Sequence, residues 1–213
     1  GFAPQGLLYD DTTDQLFSKN LMGRSVTGID VGPFRNEGIF NLPIVSVPTV
    51  GDEVMHEQVR LGKQIFYNAA DPRMSAEGYI SCATCHIDGG HDGQTWDFTD
   101  RGEGFRNTTD LRGRSGMWHG AVHWSANFNE IQDFENDIRG PFGGEGFLTD
   151  GEFASVSDTL GSPKAGMNSE LDALAAYVAS LGTQSLPRSP HRDSGGQLTP
   201  AAQAGLLVFN AHN

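Results

Sequence analysis

Residues 82–86 read Cys82-Ala83-Thr84-Cys85-His86, and this stretch contains both cysteines of the 213-residue chain. Two thiols separated by two residues can form thioether bonds to the two vinyl groups of a haem, and the next histidine is placed to ligate the iron. Two other chemistries use closely spaced cysteines. A redox dithiol favours a thioredoxin-like βαβ setting, and half of a zinc site needs two further Cys or His ligands at comparable spacing. Neither setting is visible around Cys82, so covalent c-type haem is the leading interpretation.

The sequence around this motif predicts the fold class. The segment from Pro72 to Thr109 has little hydrophobic periodicity and is rich in glycine, aspartate and aromatic residues, which is typical of a chain folded around a flat apolar cofactor. Helices are predicted from near Asp52 to Tyr67 and, most clearly, over Ser169–Leu181, where apolar residues recur at helical spacing before Gly182. We therefore expect a mainly α, cytochrome-c-like haem domain with long loops and a short β-rich N-terminal segment.

The chain divides into four predicted segments. Residues 1–31 read as three short strands with acidic turns, 32–51 as a Pro- and Gly-rich linker, 52–186 as the haem domain, and 187–213 as a linker and the start of a second haem module, with a helix opened by Thr199-Pro200. The prediction of a second haem module depends on an internal sequence repeat, since 60–66 and 203–209 share the pattern x-x-Gly-x-x-[Ile/Val]-Phe. The chain would then stop before the cysteines of the second module.

Charge argues against several partner classes. The chain has 14 Lys and Arg residues against 27 Asp and Glu residues, which gives a net charge of −13. A nucleic acid or an anionic membrane surface is therefore not an expected partner. No stretch reaches the roughly 18 apolar residues of a membrane span. Because c-type haem is attached to reduced thiols after export, a periplasmic or extracellular location in a bacterium is expected.

The second axial ligand of the iron has five candidates in the sequence, which are His91, Met117, His119, His123 and Met167. If the segment 117–124 is extended, His119 and His123 share one face. His123 is the leading ligand and His119 is the alternative. His91 follows His86 too closely to reach the far face of the ring, and Met167 is equally well explained as a hydrophobic staple at the N-terminus of the predicted core helix. The alternative for both His119 and His123 is hydrogen bonding to backbone groups in a tight loop.

Acidic residues follow this segment at four positions, Glu130, Asp133, Glu135 and Asp137. A carboxyl group close to the iron could move a proton between the two oxygens of a peroxide. The spacing selects none of the four. The alternative is that they form the charged outer face of a helix whose inner face carries Phe128, Ile131, Phe134 and Ile138.

From Leu61 to about Leu181 the chain resembles the N-terminal haem domain of the bacterial di-haem cytochrome c peroxidase superfamily, which includes MauG-type enzymes. The matching pieces come in order, and they are Leu61-Gly62-Lys63-x-x-Phe66, Ser75, Ile80-Ser81-Cys82-x-x-Cys85-His86, Arg106-Asn107-Thr108-Thr109 and His123-Trp124-Ser125-Ala126-Asn127. Residues 85–96 resemble variants in which the haem pair is fused behind a YVTN-type β-propeller, and residues 3–31 resemble one blade of such a propeller. The alternative for residues 1–31 is a β-ribbon packed on the haem domain.

The resemblance implies thioether bonds at Cys82 and Cys85, proximal ligation by His86 and a cofactor contact for Trp96. Trp124 takes the place of the tryptophan that relays electrons between the two haems. Two departures put the family's switching mechanism in doubt. The family has a distal histidine soon after the Cys-x-x-Cys-His motif, whereas residues 96–105 contain none, and the family's Trp-Asp-Gly-Arg reads Trp-Ser-Ala-Asn over 124–127.

The expected function is electron transfer through one covalently bound haem, with a redox partner protein and, if the chain continues, a second haem. A peroxidase or MauG-like oxidoreductase acting at an open iron is the first alternative. In the second alternative the haem serves mainly to hold a loop-rich chain together. A strong second ligand to iron favours electron transfer, while a missing one favours chemistry at the iron.

Overall fold

The computed structural model describes residues 2–212, apart from the side chain of Arg101. Gly1 and Asn213, the ends of the first and last predicted segments, lie outside the described residues. The strands are β1 (Pro4–Asp10), β2 (Gln15–Asn20), β3 (Ser25–Asp30), β4 (Ile44–Pro48), β5 (Thr95–Phe98) and β6 (Gly104–Asn107). The α-helices are α1 (Gly32–Glu37), α2 (Glu57–Tyr67), α3 (Cys82–Cys85), α4 (Phe134–Arg139), α5 (Asp150–Ser155), α6 (Ser169–Ser180) and α7 (Pro200–Ala211). With 32% helix and 17% strand, the chain is only loosely described as mainly α.

The N-terminal strands form one antiparallel sheet in the order β1-β2-β3-β4. The three predicted strands are present, but the segment 32–51 is not an extended linker, because it contains α1 and β4. Strand β4 pairs with β3 in a register that sets Val45 against Gly28. Its prolines, Pro43 and Pro48, lie just before and at the end of an edge strand, where a missing N–H donor is tolerated.

Both faces of this sheet carry apolar side chains. One row across β1, β2 and β4 contains Leu8, Phe17 and Val45, and the adjacent row contains Tyr9, Leu16, Ile29 and Ile44. Adjacent rows point to opposite faces, because side chains alternate along a strand. Leu8, Ile44 and Val45 are each about two-thirds exposed. The sheet therefore leaves apolar surface uncovered on both sides.

The core lies where α2 crosses α6. Ile65 and Phe66 of α2 pack with Leu171, Leu174 and Val178 of α6 in one buried cluster. At the crossing point Gly62 has no room for a side chain, since an added Cβ would overlap the backbone carbonyl of Ala173. The helix α6 matches the prediction and is capped by Asn168, whose side chain accepts from the N–H groups of Glu170 and Leu171.

Two helix predictions differ from the structure in informative ways. The second helix begins at Glu57 rather than near Asp52, with the His56 side chain accepting from the Gln58 N–H. The helix α7 forms where Thr199-Pro200 predicts it, but it buries none of its residues. Its four consecutive apolar side chains, Leu206 to Phe209, are all exposed. None of the described helices is long and apolar enough to cross a bilayer.

Candidate functional site

A deep cleft lies beside the α2–α6 crossing. It encloses about 290 Å³, and with its open mouth it holds about 1550 Å³ of space free of protein atoms. Phe66, Leu174 and Val178 form its apolar back wall, and the β5–β6 hairpin and the loop 116–124 contribute much of the rest. The Cys82, Cys85 and His86 side chains all line this cleft.

The two thiols reach the cleft from a single helical turn. Ser81 caps α3, and its own N–H donates to the Thr84 side chain at 3.0 Å, which is a capping box. Residues three apart lie on the same side of a helix, so both cysteines face the cleft. Both thiols are free, and burial raises the pKa of Cys82 to about 12 and that of Cys85 to about 11.

The raised pKa values disfavour a redox dithiol, which works as a thiolate. A bound zinc ion deprotonates its own cysteine ligands, so a zinc site is judged by its further ligands instead. Within residues 2–212 no group of three or more His, Cys, Asp or Glu side chains is arranged to hold a metal ion. The further ligands of a zinc site are therefore not found in the described part of the chain.

His86 is oriented by the tight turn that follows α3. Its Nδ1 lies 3.2 Å from the carbonyl oxygen of Gly90, which leads us to assign the Nδ1 proton to this hydrogen bond. Asp88 adopts a left-handed backbone with φ of 50°, which bends the chain back toward the imidazole. Burial lowers the pKa of His86, while hydrogen bonds that the imidazole donates to the backbone of Gly90 and Thr109 oppose this shift. A neutral imidazole with a protonated Nδ1 leaves Nε2 as an electron-pair donor.

His123 stands between two buried carboxylates in the same cleft. Its Nδ1 lies 3.6 Å from Oε1 of Glu103, and its Nε2 lies 3.7 Å from Oδ2 of Asp137. Nδ1 is also 2.9 Å from Oδ1 of Asn127. The ring packs on Phe128 at a centroid distance of 4.2 Å. The imidazole is thus held by Asn127 at Nδ1 and by Phe128 on one face, with a carboxylate near each ring nitrogen.

The expectation that His119 and His123 share one face requires the segment 117–124 to be extended. The structure shows that this segment is not extended. It is a series of turns in which His123 has a φ of 64°, a conformation that non-glycine residues rarely adopt. His119 also borders the cleft, but it is exposed and its Nε2 lies 3.1 Å from Nη1 of Arg114. The turns therefore separate the two histidines, and only His123 is partly buried.

The remaining candidate ligands lie elsewhere. Met117 and Met167 pack against the hydrophobic core and do not line the cleft. His91 is exposed, and its Nδ1 accepts from the Gly93 N–H at 3.2 Å. Among the described residues, His123 is therefore the partly buried histidine that shares the cleft with His86.

The acidic residues after His123 do not form an exposed helix face, so that expectation is wrong. Phe128, Ile131 and Ile138 are buried as expected, but Asp133, Glu135 and Asp137 are buried with them. Burial is tolerated because each carboxylate has partners. Asp133 pairs with the buried Lys164 at 2.7 Å, and Glu135 accepts from the backbone N–H groups of Phe147 and Leu148.

Only one of the four acids reaches the cleft. Glu130 accepts from the Ala165 N–H at 3.2 Å and from the Lys164 N–H, which ties it to a neighbouring loop. Asp137 is the member of the set that lines the cleft. Three of the four positions are thus structural, and the fourth faces His123.

Comparison with known proteins identifies a family for the chain. A family model described as di-haem cytochrome c peroxidase matches residues 56–181, which is more than half of the chain. The chain belongs to the di-haem cytochrome c peroxidase family. No curated protein and no solved structure matches the chain.

Residues of the cleft fit the cofactor of a di-haem cytochrome c peroxidase. A haem is an apolar ring that bears two carboxylates, so its pocket needs apolar walls and cations. Arg106 and Arg114 both line the cleft. Nη1 of Arg106 donates to the Phe105 carbonyl at 2.9 Å, whereas its buried Nε has no hydrogen-bond partner among the described residues. Two free thiols, one imidazole and this unpaired N–H fit a covalent haem and its carboxylates.

Both tryptophans expected at the cofactor border the cleft of this family member. The Trp96 indole donates to Oδ2 of Asp92 at 3.0 Å and to Oγ1 of Thr108 at 3.1 Å. The Trp124 indole donates to the Asn107 carbonyl at 2.9 Å, and its side chain is 61% exposed. Trp124 therefore connects the cleft to the protein surface.

Three charged residues of the cleft were not predicted as site residues, and they are Glu103, Arg106 and Arg114. Glu103 lies between Gly102 and Gly104, both with positive φ, in the turn that joins β5 to β6. Two glycines around a polar residue indicate a turn, but they do not tell which way the side chain points. The only available signal was the position of Arg106 in a stretch that resembles the family.

Proposed function

We propose that the chain is a c-type cytochrome that transfers electrons through one covalently bound haem. Cys82 and Cys85 form the thioether bonds, and His86 is the proximal ligand. A haem held there supplies an iron that cycles between its ferric and ferrous states. The observation that carries the proposal is that both thiols and three histidines line one apolar cleft of a di-haem cytochrome c peroxidase family member.

We propose His123 as the second axial ligand, with His119 as the alternative. Support comes from the tight packing of the His123 ring on Phe128 and from the hydrogen bond between Nδ1 and Asn127. A hydrogen bond at one ring nitrogen fixes the tautomer and leaves the other nitrogen available as a ligand. The exposed His119 has no comparable confinement, because its described polar contact is with Arg114.

Trp124 and Trp96 are proposed contacts of the cofactor. The exposed indole of Trp124 is suited to pass electrons between the cleft and a partner at the surface, either a redox protein or a second haem domain. The hydrogen bond to Asn107 holds this indole against the β5–β6 hairpin. Trp96 braces the same hairpin through Asp92 and Thr108.

A peroxidase or MauG-like oxidoreductase is the second candidate, and one observation favours it. Asp137 and Glu103 are buried carboxylates that line the cleft beside His123. A carboxylate there could accept a proton from a peroxide oxygen and return it to the other oxygen. This role requires that His123 leave the iron or never ligate it.

A third candidate is a structural haem. Phe66 and Leu174 belong both to the core and to the wall of the cleft, so a bound haem would extend the core of a loop-rich chain. Burial of such apolar surface stabilises a fold by about 25 cal/mol per Å². A structural haem predicts that loss of the thiols unfolds the domain rather than merely abolishing electron transfer.

The surroundings of the haem domain are also proposed. The antiparallel sheet of β1–β4, apolar on both faces, suits one blade of a β-propeller. The exposed apolar side of α7 suits the first helix of a second haem module, because Gly205, Val208 and Phe209 match Gly62, Ile65 and Phe66 of α2. Attachment of haem after export suits a periplasmic or extracellular location.

An absorption experiment tests the proposal. Oxidised and dithionite-reduced spectra are recorded with and without carbon monoxide for the haem-loaded protein, His123→Gly and His119→Gly, together with intact masses. We expect one attached haem, a low-spin spectrum for the parent and for His119→Gly, and a high-spin, carbon-monoxide-binding spectrum for His123→Gly. An unchanged spectrum of His123→Gly rejects His123 as ligand. A parent that already binds carbon monoxide favours the peroxidase candidate.

A further inference from the structure

A second cavity lies between the N-terminal sheet and α2. It encloses about 430 Å³ and shares no lining residue with the haem cleft. Its walls come from the β2–β3 hairpin, from Thr49 and Met55, and from the outer side of α2. The helix α2 therefore separates two cavities, with Phe66 facing one and Arg60 facing the other.

Positive charge is concentrated in this cavity. Four basic side chains line it, Lys19, Arg24, Arg60 and Lys63, and no Asp or Glu does. This is unexpected in a chain with 14 basic and 27 acidic residues. Arg24 forms an ion pair with Glu53 at 2.9 Å. Lys19, Arg60 and Lys63 form no ion pair within the described residues, so their charges are uncompensated there.

The other eight lining residues divide equally. Asn20, Ser25, Thr49 and Gln64 are polar, whereas Leu21, Met22, Val26 and Met55 are apolar, and Met22 is only 6% exposed. Methionine side chains adapt to ligands of irregular shape. A bare inorganic anion would gain nothing from these side chains, whereas an anion with an apolar body would use both parts of the lining.

The cavity is also held in shape. The side chain of Gln64 donates to the Met22 carbonyl at 3.3 Å, which ties α2 to the hairpin. Arg60 and Lys63 are one helical turn apart and therefore project from the same side of α2. Arg24 is presented from the hairpin turn by a left-handed backbone with φ of 47°. The cations thus approach the cavity from two rigid elements.

We propose that this cavity binds a small organic carboxylate with an apolar body, such as an arylacetate. The carboxylate would lie between the basic side chains of α2 and the hairpin, since guanidinium groups match carboxylates in a two-pronged geometry. The apolar body would rest against Met22 and Met55. The proposal is independent of the haem chemistry, because no residue of the site is in the haem cleft.

Calorimetric titration of the haem-loaded protein tests the choice of ligand, with phenylacetate, acetate and phenylacetamide as probes. Phenylacetate carries both features, acetate only the charge and phenylacetamide only the apolar body. We expect phenylacetate to bind at least about ten-fold more tightly than either control, and its affinity to fall as salt rises. If phenylacetate does not bind at concentrations up to about 10 mM, its affinity for the cavity is negligible and the proposal is overturned.

Variants locate the binding. Arg60→Gln removes one cavity cation, and Arg188→Gln removes an exposed arginine outside the cavity. We expect Arg60→Gln to weaken phenylacetate binding by roughly ten-fold, the loss of one charge-assisted contact, and Arg188→Gln to leave it unchanged. Equal effects of the two variants would show nonspecific charge attraction and overturn the site. The NMR chemical shifts of the Met22 and Leu21 backbone amides during titration with phenylacetate provide a second readout. Shift changes confined to other regions would also overturn the proposed site.

Discussion

The Asp137 carboxylate lies 3.7 Å from Nε2 of His123, and both side chains are largely enclosed by the haem cleft. A negative charge at this distance stabilises positive charge nearby, so it would favour the ferric form of an iron ligated by His123 as proposed. The same carboxylate would serve as an acid or base if His123 were displaced. The Asp137–His123 pair would thus contribute to either proposed function, electron transfer or peroxidase chemistry.

Asp137→Asn should raise the reduction potential of the haem-loaded protein, because it removes this negative charge and keeps the side-chain shape. We expect a rise of about 60 mV, which is a tenfold change for a one-electron couple. Spectroelectrochemical titration measures the shift. Asp150→Asn is the control, since Asp150 has a fully exposed side chain and is paired only with Arg139 among described partners. Equal potentials for parent and Asp137→Asn would contradict the arrangement.

Glu135→Gln should destabilise the domain without changing the haem spectrum. Glu135 is completely buried and accepts from the Phe147 N–H at 2.8 Å and the Leu148 N–H at 3.0 Å, besides an ion pair with Arg139 at 2.9 Å. The glutamine side chain would place an N–H donor where these backbone N–H groups and Arg139 need an acceptor. We expect a loss of about 2–4 kcal/mol in the free energy of unfolding. Urea denaturation measures it, with the exposed Glu145→Gln as a control that should change it little.

Gly62→Ala should destabilise the domain by about 3 kcal/mol, because a Cβ would overlap the Ala173 carbonyl and push α2 away from α6. Gly205→Ala is the matched control, since Gly205 holds the corresponding position in α7 and has nothing within 4 Å of an added Cβ. Alanine favours helix over glycine by up to about 1 kcal/mol, so the control should be neutral or stabilising. Thermal unfolding of both variants gives the comparison, and similar losses would argue against the tight crossing.

In the haem-free chain, both thiols should react slowly with iodoacetamide until the solution is strongly alkaline. Burial raises the pKa of Cys82 to about 12 and that of Cys85 to about 11, whereas an unfolded thiol ionises near 8.5. The folded state therefore holds more protons above this pH, so its stability also declines as pH rises. At pH 9 we expect alkylation of the folded protein at least about ten-fold slower than in urea, with Cys85 ahead of Cys82. Equal rates with and without urea would contradict the burial of the thiols.

Local signals predicted the parts of the structure that depend on neighbouring residues. The apolar spacing that ends before Gly182 predicted α6, and Thr199-Pro200 predicted α7. The Cys-x-x-Cys-His motif occupies a capped helical turn that faces the cleft, as haem attachment requires. These features need only a few consecutive residues, so the sequence contains them directly.

Features that depend on distant partners could not be predicted in this way. Glu135 is buried because its acceptors meet N–H groups 12 and 13 residues later, and Asp133 because Lys164 lies 31 residues away. Strand β4 forms because β3 offers an open edge, which a search for local strand signals between prolines does not detect. Met167 packs against the core. Its sequence position beside the α6 cap does not show whether the side chain packs there or reaches the cleft.

The contact between Gly62 and the Ala173 backbone also bears on how the protein responds to a change of iron charge. Two helices in backbone contact cannot move closer, and Phe66 and Leu174 fix the cleft wall to them. The loop 116–124, in contrast, is built from turns and includes the left-handed His123. Structural reorganisation on reduction would therefore be confined to one side of the cofactor. A wall of this kind would keep its shape around a bound haem when the iron changes charge, which would lower the reorganisation energy of the proposed electron transfer.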